Sequence, residues 1–373
     1  MMKKIALITL SILVLLVFNC CDSNDDNQPH ENKVINKLKF IDEYIIPDNT
    51  MYQNTVFGGI SGIDYVNNTW YLICDDAGAP TRFYTANIDY DLNGFSNVAI
   101  SSVKELKDKT GNAFTEGNVD PEAIRVTSSG NIIWSSEGNI NGKVNPFVRF
   151  ANLEGEFISE ITIDSKFEVS NNSDKGPRHN GVFEGISTSI NGYWIAMELP
   201  LKQDGEAPII EDTESPVRIA HINNDGTFGK EFAYELDAVA RQSSEDAFTV
   251  NGIVELLEYN TNQFLVLERS FSTGYSDGGN NVKIYKVDAT NATDISDIES
   301  LVNTEYTKVT KELLFDLETI RPQLTGGIVD NIEGITFGPK LDNGNRSIIL
   351  VADNNFSAFG AQLNQFILLE VVN

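Results

Sequence analysis

The chain has 373 residues, and its 54 acidic side chains face only 27 Lys and Arg, for a net charge of −27. That balance excludes nucleic acid and an anionic membrane surface as partners, because both are held by cations. Only three histidines are present, His30, His179 and His221, too few for an ordinary zinc site or a Ser-His hydrolase. At 41% hydrophobic and 22% charged residues the chain is globular, and long enough for one large domain or two ordinary ones.

In chain order, Lys3 and Lys4 precede an apolar run from Ile5 to Phe18, the length of an export signal and short for a membrane span. Cys20 and Cys21 follow at once, then the acidic stretch Asp22-Ser23-Asn24-Asp25-Asp26. This arrangement resembles a bacterial lipoprotein signal, with Asn19 standing where a small residue is usual. The resemblance implies a signal peptide at 1–19, lipidation of Cys20 and a flexible acidic tether over 20–34. The acidic stretch is similar to the surface-export signal of Bacteroidetes lipoproteins, which implies outer-membrane anchoring and exposure at the cell surface. The alternative is ordinary secretion with two incidental cysteines. After cleavage, 25 cations and 54 acids leave a charge of −29. Inside the globular part only Cys74 remains, so no disulfide framework exists.

From 35 to 373 the chain repeats. Five segments place a small residue before Ile: Ser61-Gly62-Ile63, Glu122-Ala123-Ile124, Glu184-Gly185-Ile186, Asn251-Gly252-Ile253 and Glu333-Gly334-Ile335. Each leads through a turn into an apolar run ending in an acid, at Asp75-Asp76, Glu137, Glu198, Glu268 and Asp353. Such pairs of β-rich runs are hairpins. A third run opens with Arg82, Arg149, Arg218, Lys283 or Gln365. A fourth follows in four repeats, at Phe95 to Val103, Phe157 to Ile163, Phe228 to Leu236 and roughly Val309 to Phe315. The fifth repeat lacks it, and Leu38 to Tyr44 lacks a partner.

These features predict an all-β chain, a β-propeller of five four-stranded blades closed by the N- and C-terminal strands. The long connections at 104–121, 164–183 and 289–308 leave room for a sixth blade, and near-helical spacing between Asp294 and Glu318 suggests one surface helix. A two-sheet sandwich would explain the strands without the repeat.

In a propeller the first strand lines the channel and the second returns beside it, so first-strand starts and second-strand ends share one mouth. Glu122 with Glu137, Glu184 with Glu198, and Glu333 with Asp353 therefore converge. Ser61 and Asn251 replace the first acid in the other two repeats, which places the acidic site among three blades. Converging carboxylates repel and call for a cation, and oxygen donors select calcium or magnesium. The competing reading is that the acids cap turns and pair with arginines to hold blades together. Arg178 and His179 arrive just before Glu184, Arg269 stands beside Glu268, and Asn354 beside Asp353. A loop histidine such as His179 is either a general acid or an ordinary surface residue.

Taken together, Gly59-Ile60-Ser61-Gly62-Ile63-Asp64, Asp75-Asp76-Ala77-Gly78, Arg82-Phe83-Tyr84 and Asp120-Pro121-Glu122-Ala123-Ile124 resemble the bacterial phytase-like family (esterase-like activity of phytase). Phe183 to Ile186, Leu267 to Phe271, Ile332 to Ile335 and Asp353 to Ser357 extend the resemblance, from about residue 55 to the C-terminus. The name rests on likeness to β-propeller phytases, which implies calcium on channel carboxylates and cleavage of phosphomonoesters. On this reading Glu122, Glu137, Glu184, Glu198, Glu333 and Asp353 hold Ca2+, and Glu184, His179 and Arg178 are catalytic. Arg82, Arg149, Arg269 and Asn354 would bind a small anionic ester. The alternatives are a calcium-dependent lactonase or esterase-like propeller, with few arginines pointing inward, and a non-catalytic ligand-binding surface lipoprotein. The protein is expected to be a monomer that touches the membrane only through its lipid.

Overall fold

The computed structural model describes residues 34–76, 80–358 and 362–373. The signal peptide, Cys20 and all of the tether but residue 34 lie outside them.

Five four-stranded antiparallel sheets form a ring. Blade one runs Ile60–Val66, Thr69–Cys74, Arg82–Asp91 and Gly94–Glu105. Blade two runs Pro121–Val126, Ile132–Ser136, Phe147–Ala151 and Phe157–Glu160. Blade three comprises Phe183–Ser189, Gly192–Met197, Pro216–Asn223 and Phe228–Glu235, and blade four Thr249–Asn260, Gln263–Ser272, Asn280–Asp288 and Thr310–Asp316. Blade five takes Ile332–Lys340, Arg346–Ala352 and Asn364–Val372 from the C-terminus. Its outer strand is Lys37–Ile46, with Leu38 opposite Val371 and Tyr44 opposite Phe366. Pairing the two ends of the chain in one sheet leaves no blade incomplete.

The small residue of each repeat is where neighbouring inner strands approach most closely. A Cβ on Gly62 would lie 2.8 Å from the Glu122 carbonyl oxygen of blade two. One on Gly334 would lie 3.2 Å from the Ile63 nitrogen of blade one. The isoleucine that follows is fully buried in blades one, two, four and five and nearly so in blade three. The repeat is thus a packing rule for the ring: at most a methyl group where inner strands touch, a branched side chain where they face the blade core.

Two expectations are corrected. The long connections hold no sixth sheet among the described residues. The segment from Asp294 toward Val309 is not a helix. It is a loop that docks on blade three, burying Ile295 and Leu301 against Ala233. Arg218 donates to the Ile295 and Ile298 carbonyls at 3.3 and 2.8 Å, and Leu301 N donates to Asp204 Oδ1 at 3.1 Å. Tertiary partners therefore satisfy the backbone groups that a helix would have paired internally.

Candidate functional site

The inner hairpins carry their polar residues on β-bulges. Pairing passes from Phe183–Met197 to Gly185–Ala196, leaving Glu184 unpaired between them, and from Ile332–Ala352 to Gly334–Val351, leaving Glu333. Ser61 stands in the same gap in blade one, and Glu122 with Ala123 in blade two. A bulge kinks the strand and re-aims the unpaired side chain, here along the axis instead of into a blade. Blade four differs, since Asn251 pairs in register with Ser270 and the irregularity falls at Val254.

The result is eight carboxylates at one mouth: Asp75, Asp120, Glu122, Glu137, Glu184, Glu198, Glu333 and Asp353. All six expected metal ligands are among them, each at most 7% exposed. Two trios, Asp75–Asp120–Glu122 and Glu122–Glu137–Glu184, bring ligand oxygens within 4.8 Å of one another, so each could hold a metal ion. Glu122 belongs to both trios. Asp75 stands within hydrogen-bond reach of Asp120, and Glu137 of Glu184, close enough for each pair to share a proton. Burial raises these acids first and the neighbouring carboxylates raise them further. Glu137 is pushed up to about 8, and Glu122, Glu184, Glu333 and Asp75 lie well above the ordinary range. Burial lifts Glu198 to about 7 against the pull of Arg269. Asp353 also reaches about 7 through burial, although Asn355 N donates to its Oδ1 at 2.7 Å.

The cations are distributed otherwise than their sequence order suggests. Arg269 alone among the expected arginines reaches the acids, at 3.1 Å from Glu198 and 3.5 Å from Glu333. Arg82 is 2% exposed and donates to Asp76, Tyr84 and the Val56 carbonyl. Arg149 pairs with Glu160 at 2.7 Å and stacks 3.7 Å from the Phe147 ring centroid, away from the mouth. Arg178 donates to the Pro200 and Gly205 carbonyls, bracing the loop beneath. Its neighbour His179 is exposed and close enough to Asp120 to favour that carboxylate's charged form. Asn354 is spent on structure: its Oδ1 accepts from Gly59 N at 3.0 Å and Phe356 N at 3.3 Å. The third-strand cations thus stitch strands and loops together. Arg218 does so with Asp204 and Glu231, and Lys283 with Asp237.

Two features escaped the sequence reading. Asp120, with Asp75, which the repeat places at the mouth but not among the metal ligands, completes the first trio, and the signal was present in the motifs Asp75-Asp76 and Asp120-Pro121-Glu122. The second is a buried pair on the axis. Arg125 Nη2 lies 2.7 Å from Glu255 Oε2, both 1% exposed. Arg125 also donates to the carbonyls of Ile63, Leu256 and Ile335, and Ile186 N donates to Glu255 Oε1. One ion pair therefore joins all five inner strands and closes the channel below the acids. Its signal was a charge inside an apolar strand, Ile124-Arg125-Val126 and Val254-Glu255-Leu256, which demands a buried partner.

A family model described as phytase-like, esterase-like activity of phytase, matches residues 55–356. No curated protein matches the chain. Among solved structures, a glucose dehydrogenase aligns over 90% of this chain and 99% of its own, at 9% identity and a TM-score of 0.35. The alpha-L-arabinofuranosidase catalytic domain of Coprinopsis cinerea covers 90% and 97% at 11% identity and 0.39. An alpha-L-arabinofuranosidase of Podospora anserina in complex with cellotriose covers 84% and 92% at 10% identity and 0.40. At such identities and scores these likenesses say nothing about chemistry.

Proposed function

The chain belongs to the phytase-like family, and from that premise we propose that it is a calcium-dependent hydrolase of neutral esters, acting at the acidic mouth. The observation that carries this reading is the count of charges: eight clustered carboxylates against the single guanidinium of Arg269. Like charges about 4 Å apart cost about 4 kcal/mol per pair at an effective dielectric near 20. Shared protons relieve two pairs, and a divalent cation relieves the rest. The donors are all oxygens, and buried Glu122 accepts no hydrogen bond from any described residue, so the residues fit a hard cation.

The same count weighs against an anionic substrate. A phosphomonoester dianion would meet a strongly negative mouth with Arg269 as its only guanidinium, since Arg82, Arg149 and Arg178 are bound elsewhere. A carboxylic ester or lactone carries no such charge. Bound there, calcium would polarise the carbonyl and acidify a water. With the proton it shares with Glu137 lost on calcium binding, the Glu184 carboxylate would take the proton of the attacking water. Arg269 would donate to the oxygen that becomes negative. His179, at the open rim, would protonate the departing alcohol.

The test is hydrolysis of carboxylic esters, lactones and phosphomonoesters with millimolar calcium and with EDTA. Calcium-dependent cleavage of the neutral esters is expected. Preference for phosphomonoesters would restore the phosphoesterase reading. Calcium binding without any cleavage would leave a ligand-binding protein. We further propose export and lipid anchoring at Cys20; a Cys20→Ser chain should leave the membrane fraction, and its retention there would refute the anchor.

A further inference from the structure

Blade four's inner hairpin continues beyond the mouth, with Thr249 opposite Ser272, Val250 opposite Phe271, Asn251 opposite Ser270 and Gly252 opposite Arg269. In this extension the usual polarity of a strand is inverted. Ser270 and Ser272 are buried, while Phe271 and Val250 are only half-buried. The serines face inward because they hold a loop: Ser270 Oγ accepts from Ala240 N at 2.9 Å and Ser272 Oγ from Ser243 N at 3.4 Å. The opposite face is left open and apolar. Phe248 extends it, 62% exposed and 6.2 Å from Phe271 between ring centroids. Its backbone is nonetheless pinned: Thr273 N donates to its carbonyl at 3.0 Å, and its own N donates to Thr273 Oγ1 at 3.1 Å. A fixed backbone presenting a large aromatic ring to water is a feature of binding surfaces.

This face continues into the acidic site. Side chains two apart on a strand share a face, about 7 Å apart. Phe271 therefore stands directly above Arg269, whose guanidinium reaches Glu198 and Glu333. We infer that Val250, Phe271 and Phe248 form a subsite for the apolar portion, aryl or alkyl, of the ester whose carbonyl is presented to Arg269 and the acids. The inference rests on the hydrolase reading for its substrate, and on the inverted strand for its location. A neutral apolar group is the one occupant that neither the acids repel nor the exposed rings leave hydrated.

The test separates the two. Binding of 4-phenylbutyramide and of acetamide, uncleaved neutral analogues, is measured by calorimetry on the full chain with calcium. The larger amide should bind and acetamide should not. Phe248→Ala and Phe271→Ala should each weaken binding by roughly tenfold, and Phe271→Leu by much less. Phe248 is exposed, so its variant should melt like the parent. Failure of the parent to bind, or binding as tight as the parent's in both alanine variants, overturns the subsite. The ratio of kcat/KM for phenylbutyrate over acetate esters is then read in the same variants. If the amide binds but no ester is cleaved, the hydrolase reading falls and the subsite stands. If esters are cleaved at a ratio that Phe271→Ala leaves unchanged, the reverse holds.

Discussion

Blades three and four place a second-strand acid at the same point of the repeat, and the two acids meet opposite fates. Glu198 in blade three faces other carboxylates and one arginine. Glu268 in blade four accepts from Tyr234 Oη at 2.7 Å, Asn251 Nδ2 at 2.8 Å, Asp237 N at 2.9 Å and Lys311 Nζ at 3.1 Å. Nearby Asp237 is held at about 2 in spite of burial, by hydrogen bonds from Lys311 and Tyr285. The blade four sector is a closed network, and its charges hold the fold together. The sector of blades two, three and five sets six carboxylates against the one guanidinium of Arg269, an imbalance a folded chain keeps only where something binds. The replacement of Glu by Asn251 separates them, because an amide can donate to Glu268 where a carboxylate would repel it.

The sharpest way to break this contrast is a pair of substitutions with opposite outcomes. Glu268→Ala should cost about 3 kcal/mol of stability by stranding Tyr234 and Lys311, and leave calcium affinity unchanged. Glu122→Gln should stabilise the calcium-free chain by removing a like charge, and weaken calcium binding at least about tenfold. Melting curves and calcium titrations read both; equal effects on either quantity would erase the distinction between the sectors.

Next in size is calcium itself. Ligand that binds only the folded chain adds about 2.7 kcal/mol at a hundredfold excess over Kd. The melting temperature should rise from EDTA to millimolar calcium in the parent and in Glu268→Gln, and rise little in Glu122→Gln. Identical curves for the parent in both buffers would remove the metal site.

The pH dependence should carry opposite signs in the two sectors. Burial raises Glu137 from 4.5 to about 8, so the folded chain holds a proton that the unfolded chain has lost between those values. Without calcium, stability should therefore fall as pH climbs from about 5 to 8. Asp237 is depressed from 3.8 to about 2, so its contribution is present above 3.8 and is lost as pH falls toward 2. Melting in EDTA across pH 5 to 8 tests the first, and a flat profile there would refute it. Acid titration of Asp237→Asn against the parent tests the second.

The smallest expected effect on calcium affinity is that of Arg269→Gln. Removing the one guanidinium should tighten calcium binding several-fold, since one positive neighbour is gone. Ester cleavage should nevertheless drop roughly 100-fold through loss of a donor to the developing oxyanion. Unchanged cleavage would place Arg269 among the structural cations.

Much of this was legible in advance because the repeat is local. The spacing of Gly or Ala before Ile, the turns and the terminal acids are readable along the chain, and propeller geometry then places Glu122, Glu184 and Glu333 at one mouth. The partners of the arginines were not. The sequence assigns Arg82 and Arg269 the same ester-binding role, but one turns to Asp76 and Tyr84 and the other reaches two neighbouring blades. The docking loop at 294–309 was misread because apolar residues near helical spacing are equally served by an extended segment whose carbonyls Arg218 satisfies.

What the sequence by itself determined is the ring: five hairpins, their small residues at the strand contacts, and an outer strand lent by the N-terminus. These follow from short-range pattern, since strand period, turn chemistry and the room for a Cβ are set within a few residues. What only the tertiary structure decided is which charges are neutralised. Glu198 and Glu268 occupy equivalent positions, and Lys311, 43 residues from Glu268, settles the difference. Electrostatic pairing depends on distances across the ring that no local pattern encodes. The Arg125–Glu255 pair, 130 residues apart and joining five strands, shows the same limit at the centre of the fold.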